Sequence, residues 1–213
     1  MVITYHGGEC FKVQVGDTVL VFNPPAKESP LIVNGKTPRF GADIVLVSLN
    51  DEDFNGVQNM TYGDKTPFVV SGPGEYEIKN IFIKGIASTT RYKEVDRINT
   101  AYLVLIDGVN LCFLGAFGST EAAGDIDGAF GEVDVLFVPI GGADANNPEI
   151  SSAIPLNEFS MRLNGETRSP ALICPLSPLM LKPTKEIQKN VTIQKMRIVK
   201  MAAIRRRICI DCF

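Results

Sequence analysis

Histidine is nearly absent: the chain of 213 residues has one, His6. That scarcity excludes a metal centre or proton relay built from several imidazoles. Ser48, Ser71, Ser88 and Ser119 have no histidine base at any sensible spacing, so a Ser-His-Asp hydrolase would rest on His6 alone. Long apolar runs are missing too. None approaches the roughly 20 residues that span a bilayer. The opening "MVITYHGGECFKV" has neither a basic n-region nor an apolar h-region, so a cytoplasmic chain without a membrane partner is expected. The five cysteines, Cys10, Cys112, Cys174, Cys209 and Cys212, are odd in number, which argues against a disulfide framework. The first three lie in apolar strand-like runs and are expected to be buried free thiols. "GPGEYE" lacks the lysine and following helix of a phosphate-binding loop and reads as a turn between strands.

What is present is ordinary for a globular protein: 45% hydrophobic and 21% charged residues. The length suits one large domain. The net charge of -3 hides an asymmetry. From Lys182 to Phe213 there are nine Lys/Arg and two Asp/Glu, a local +7, which leaves -10 for the rest. The expected organisation is a single domain over residues 1–181 and a basic segment over 182–213, part of it a last helix or strand. Its end, "AAIRRRICIDCF", is compatible with a solvated basic tail, with a frameshifted gene end, or with binding to nucleic acid or an anionic surface. Nucleic acid ranks last, because the body is acidic and no stacking aromatics accompany the arginines. Cys209-x-x-Cys212 has the spacing of half a zinc knuckle, but no second pair exists.

Strands dominate the pattern. "CFKVQV" alternates Cys10, Lys12, Gln14 against Phe11, Val13, Val15; Gly16-Asp17 turns the chain and "TVLVFN" returns. A Pro- and Gly-rich loop follows. "ADIVLVSL" is a continuous β-branched run, as in a strand buried on both faces. After the turn at Gly72, Pro73 and Gly74, one long strand is expected from Tyr76 through Ile83. Asp107-Gly108 centres a hairpin, and "VDVLFVPIGG" and "ALICPLS" supply further buried strands. Residues 119–130 and 149–164 are the helix candidates. Such a sequence of elements indicates an α/β or α+β layered domain.

The stretch of chemical interest is "SLNDEDFNGV", where a buried strand opens into Asp51, Glu52 and Asp53. It could be a metal-binding turn, the remnant of one, or an acidic turn in which Asp51 and Asp53 cap a short helix at "NGV". Two carboxylates in an open turn would favour Mg²⁺ or Ca²⁺, weakly, since those ions want six or more oxygens.

The order of "ITYHGGECFKV", "ADIVLVSLNDEDFNGV", "GPGEYEIKNIFIKGIAS", "NTAYLVLIDGVNLCFLGAFG" and "VDVLFVPIGG" resembles the metallo-β-lactamase superfamily, in particular its small hydrolase-like members related to ascorbate-6-phosphate lactonase. The resemblance covers residues 1 to about 142 and implies a four-layer αββα sandwich with a metal site at one edge of its two sheets. In that family two zinc ions activate a bridging hydroxide for hydrolysis. The resemblance puts the first histidine of the His-x-His-x-Asp-His motif on Leu49, the second on Asp51, the aspartate on Asp53 and the next histidine on Phe54. The third loop's histidine falls on Thr90 or Thr89, the bridging aspartate on Ala116, and the last histidine near Ser177. His6 and Asn50 would line the same edge. Leucine, phenylalanine and alanine ligate nothing, and hydroxyls are poor zinc ligands beside imidazole. The resemblance therefore implies a family hydrolase without its di-zinc site, in a binding or scaffold role, with homo-oligomer contacts compatible with it. The alternative is an active metal-dependent hydrolase of an ester, lactone or phosphodiester anchored on Asp51 and Asp53.

Overall fold

In the computed structural model, residues 1–32, 37–118 and 133–138 are described, together with four short strands further along the chain. The opening meander forms β1 (Val2–Tyr5), β2 (Phe11–Val15) and β3 (Thr18–Phe22). In β2 the alternation is read out as expected: Phe11 and Val13 are buried, while Gln14 is exposed. β4 (Ile44–Leu46) is buried at every position and runs parallel to β3 and to β5 (Phe68–Val70). Its burial on both faces accounts for its unbroken apolar run. Between β4 and β5 lies a 3₁₀ turn, Val57–Met60.

The region expected as one strand from Tyr76 to Ile83 is a hairpin instead: β6 (Gly74–Ile78) and β7 (Ile81–Tyr92). Lys79 and Asn80 turn the chain with φ of 53° and 60°, a left-handed pair matched to the twist of a hairpin. β7 pairs from Phe82 to Tyr92 with β8 (Val95–Ile106) around a second such turn, Lys93-Glu94. Asp107-Gly108 then turns β8 into β9 (Val109–Phe113), as expected. β10 (Val135–Phe137) is buried throughout and parallel to β9. Beyond it lie β11 (Met161–Leu163), β12 (Glu166–Arg168), β13 (Ala171–Ile173) and β14 (Cys209–Cys212). β11 overturns the end of the helix expected over 149–164, because residues 161–163 pair as a strand with β12. The expected helix over 119–130, and the part of the other that precedes Met161, lie outside the described residues.

Two six-stranded sheets result, in the orders β14-β1-β2-β3-β4-β5 and β13-β10-β9-β8-β7-β6, with β11-β12 apart. One apolar core joins them: Ile3, Phe11, Leu20, Phe22 and Leu46 from the first sheet meet Ile83, Tyr102, Leu111, Phe113 and Phe137 from the second. Phe22 stacks on Phe113 at 4.5 Å between centroids, and Phe11 meets Phe137 edge-on at 4.8 Å. Tyr102 donates its hydroxyl to the Val47 carbonyl at 2.8 Å and accepts the Gly72 N–H at 3.1 Å, tying the sheets where β5 gives way to β6. Cys10 and Cys112 are buried free thiols, as expected, whereas Cys174 lies outside the described residues.

The opposite face of the first sheet carries a smaller cluster of Cys10, Val21, Val45, Val47 and Met60. At the N-terminal end of β4, Asp43 accepts the Val19 N–H at 2.8 Å and ion pairs from Lys65 at 2.9 Å and Lys79 at 2.5 Å. Burial works against that charge, but these bonds outweigh it and hold the carboxyl at about 2. Lys79 belongs to the second sheet, so this pair ties the two layers at the end away from the acidic loop.

Candidate functional site

The other end of β4 is built from polar residues. Asn23, fully buried after β3 with φ of 43°, donates to the Ser48 hydroxyl at 2.8 Å and accepts the Ser48 N–H at 2.8 Å. Asn99 on β8 donates to Ser88 at 3.0 Å and to the Leu114 carbonyl at 2.9 Å, and accepts the Ala116 N–H at 2.9 Å. Gly115, at φ of 62°, lets β9's end pass so close that a Cβ there would sit 2.5 Å from the Ser48 side chain. Every polar atom of the two asparagine side chains is thus used, and the ends of β3, β4 and β9 are locked to the interior of β8. Ser48 and Ser88 are engaged in this lock, Ser71 is exposed, and Ser119 lies outside the described residues.

On this platform sits the acidic loop. The carboxylate oxygens of Asp51, Glu52 and Asp53 lie within 4.8 Å of one another. Asp53 is buried and accepts the hydroxyls of Ser29 and Tyr92 on its two oxygens. Lys93 places its ammonium 2.8 Å from Asp51, 3.1 Å from Glu52 and 3.0 Å from Asp53. Arg97 adds a contact of 3.5 Å to Asp51 and donates to the Asn50 carbonyl at 3.0 Å. Burial pushes the Asp51 carboxyl upward, but the Lys93 bond, the Asp53 N–H and the two cations outweigh it and hold it below the usual range. The Lys93 ammonium is held well above its usual value because the three carboxylate bonds outweigh desolvation. The expected cap is not made. Asp51 does accept the Asp53 N–H at 3.2 Å, but the 3₁₀ turn starts at Gly56 with no side-chain cap, since the carboxylates are committed to Lys93, Tyr92 and Ser29.

Beside the acidic loop is an apolar cluster of Leu49, Phe54, Tyr92 and Ala116, each no more than 9% exposed. The Phe54 and Tyr92 rings meet edge-on at 5.1 Å. Three of these four are positions on which the resemblance read from the sequence would put family ligands. Rather than three gaps around an open cleft, they form one packed contact that Tyr92 completes.

The remaining candidates are spread out. Thr90 is buried, with a hydroxyl that has no hydrogen-bond partner among the described residues, while Thr89 is exposed on the opposite face of β7. Asn50 is exposed and accepts from Asn55 at 3.0 Å. The His6 ring packs tilted against Phe40 at 4.9 Å between centroids, and burial together with Lys12 lowers its pKa. Ser177 lies outside the described residues.

Sequence reasoning passed over Tyr92, Lys93, Ser29 and Glu9. Tyr92 was open to discovery, because Ser88, Thr90 and Tyr92 alternate inward on one strand. Glu9 is a partly buried carboxyl bonded to the Asn23 amide at 3.2 Å. Burial lifts its pKa from 4.5 to about 7, against the smaller opposing pull of Asn23. A carboxyl that holds its proton more tightly when folded favours folding while protonated. That contribution is complete below pH 4.5 and is lost as pH rises through about 7. Glu9→Gln removes this dependence, and denaturation at pH 8 should find it more stable than wild type by roughly 2–3 kcal/mol, with no gain at pH 4.

Two mixed sheets joined face to face, with a polar loop cluster where β3, β4 and β9 end beside the middle of β8, define a two-sheet sandwich. The sequence profile of the β-lactamase superfamily domain matches residues 2–158, and the chain belongs to that superfamily. Its two sheets are the β layers of the metallo-β-lactamase αββα sandwich. No curated protein matches. Among solved structures, the chain is similar to a Thermotoga maritima protein assigned as a Zn-dependent hydrolase of the metallo-β-lactamase superfamily, with 19% identity over 81% of this chain and 97% of that one, at a TM-score of 0.50. It is also similar to Zn²⁺-bound PqqB from Methylobacterium extorquens, with 13% identity over 60% of this chain and 58% of that one, at a TM-score of 0.40. CmlA, a diiron β-hydroxylase from Streptomyces venezuelae, matches with 13% identity over 63% of this chain and 33% of its own, at a TM-score of 0.44.

The resemblance read from the sequence implies a di-zinc pair, and the described residues can be tested against it. They do not fit it. The ligand-capable cluster among them offers only oxygen donors, without imidazole or thiolate, and all three carboxylates already bind an internal ammonium.

Proposed function

We propose that this chain is a metallo-β-lactamase-fold protein that performs no metal-dependent hydrolysis and acts by binding or as a scaffold. The observation that carries this is the packing of Leu49, Phe54 and Ala116 against Tyr92 where ligands would converge. A buried apolar contact gives a metal nothing to bind and leaves no room for a bridging water. No membrane-crossing helix occurs among the described residues, and a cytoplasmic setting with one domain over residues 1–181 suits the same reading. The experiment is a hydrolysis assay on esters, lactones and phosphodiesters with zinc, manganese or magnesium supplied. The expected result is a rate equal to that of the metal alone. Metal-dependent turnover by the wild type that is lost in a folded Asp53→Asn protein would replace this reading with that of an active hydrolase anchored on Asp51 and Asp53, which the closeness of the three carboxylates favours.

A further inference from the structure

The acidic loop would be costly to keep without a counter-charge. Asp51 and Asp53 have side chains only 8% and 1% exposed, and their carboxylates face each other and Glu52. Like charges at this separation destabilise a fold unless a cation stands between them. Arg97 reaches Asp51 alone, at 3.5 Å, whereas Lys93 lies within 3.1 Å of all three carboxylates and 5.4 Å above the Tyr92 ring.

The backbone carries a second sign. Lys93 and Glu94 turn β7 into β8 with φ of 50° and 63°. Such turns ordinarily use glycine, asparagine or aspartate, because a side chain with a Cβ is disfavoured there. Nothing in the local sequence favours this turn, whereas its first residue reaches across more than 40 positions in the chain to bind the acidic loop.

We infer that Lys93 is a built-in cation that takes the place of a metal ion at the acidic loop, bridging Asp51, Glu52 and Asp53 and latching the β7–β8 turn onto the end of β4. The inference rests on the reading that this edge is closed to metal, but its test is separate from catalysis. Hydrolysis by the wild type would sink that reading, whereas the latch is judged by the response of stability to cations.

The test is thermal unfolding of the full chain in metal-free buffer and in millimolar Mg²⁺, Ca²⁺ or Mn²⁺. Wild type is expected to show no shift with any of the three. Lys93→Met should unfold roughly 5 °C lower in metal-free buffer, and a divalent cation should restore most of that loss, since three clustered carboxylates with added water suit hard ions. Lys93→Arg, which keeps the positive charge, should show no cation response. Asp51→Asn keeps the ammonium but removes a carboxylate, so it should lose stability and gain no response. If Lys93→Met does not fold, Lys93→Gln, of similar reach and uncharged, serves in its place. A Lys93→Met or Lys93→Gln protein as stable as wild type without metal would overturn the inference. So would a wild type that shifts with divalent cations as far as the variant does, or a destabilised variant that no cation restores.

Discussion

Phe54→Ala is expected to destabilise the protein by about 3–5 kcal/mol, read as a fall in the denaturant midpoint at unchanged slope. Phe54 is 3% exposed and fills the contact between Leu49, Tyr92 and Ala116. Its removal leaves a cavity against Leu49, Tyr92 and Ala116, and the Asn99 bond that holds the Ala116 N–H resists collapse there. If the same position lined an open cleft, truncation there would change stability by no more than about 0.5 kcal/mol. Phe54→His separates the two pictures further. Restoring the imidazole that the family's motif would place there should cost stability and recruit no zinc, since the ring enters an apolar contact without other imidazoles nearby.

Asp53→Ala should be comparably severe, at about 3–5 kcal/mol. Asp53 is the buried hub on which the Ser29 hydroxyl, the Tyr92 hydroxyl and the Lys93 ammonium converge. Deleting it strands two hydroxyls and leaves a cation with one fewer partner, and unmade buried bonds cost more than made ones gain. Tyr92→Phe, which keeps the ring against Phe54 but removes one hydroxyl, should lose only about 1 kcal/mol. A large loss in Asp53→Ala beside a small one in Tyr92→Phe, both by denaturation, marks the aspartate as a structural hub. Little loss in Asp53→Ala would instead mark it as a solvated surface carboxylate.

How much of this was legible in the sequence depends on how local the cause was. β2, β4, β9 and β10 were readable because burial imposes either a two-residue alternation or an unbroken apolar run. The Asp107-Gly108 turn was readable because its glycine announces a positive φ. The Lys79-Asn80 turn was misread as the middle of a strand, since asparagine tolerates the left-handed region but lysine gives no such sign. The Lys93-Glu94 turn carries no local signal, because its partners are the carboxylates of a loop more than 40 positions away. The mismatch of Leu49, Phe54 and Ala116 with a metal site could be seen residue by residue. That they touch one another, and that Tyr92 and Lys93 fill the remaining apolar and ionic roles, required the fold.

The central claim is that this superfamily edge holds no catalytic metal, and metal content tests it most directly. The protein, purified without a histidine tag, is loaded with zinc, manganese or magnesium, passed through gel filtration and submitted to elemental analysis. The account predicts far less than one ion per chain for each metal. Zinc retained at one or two ions per chain would contradict it, since that is the stoichiometry of a working site.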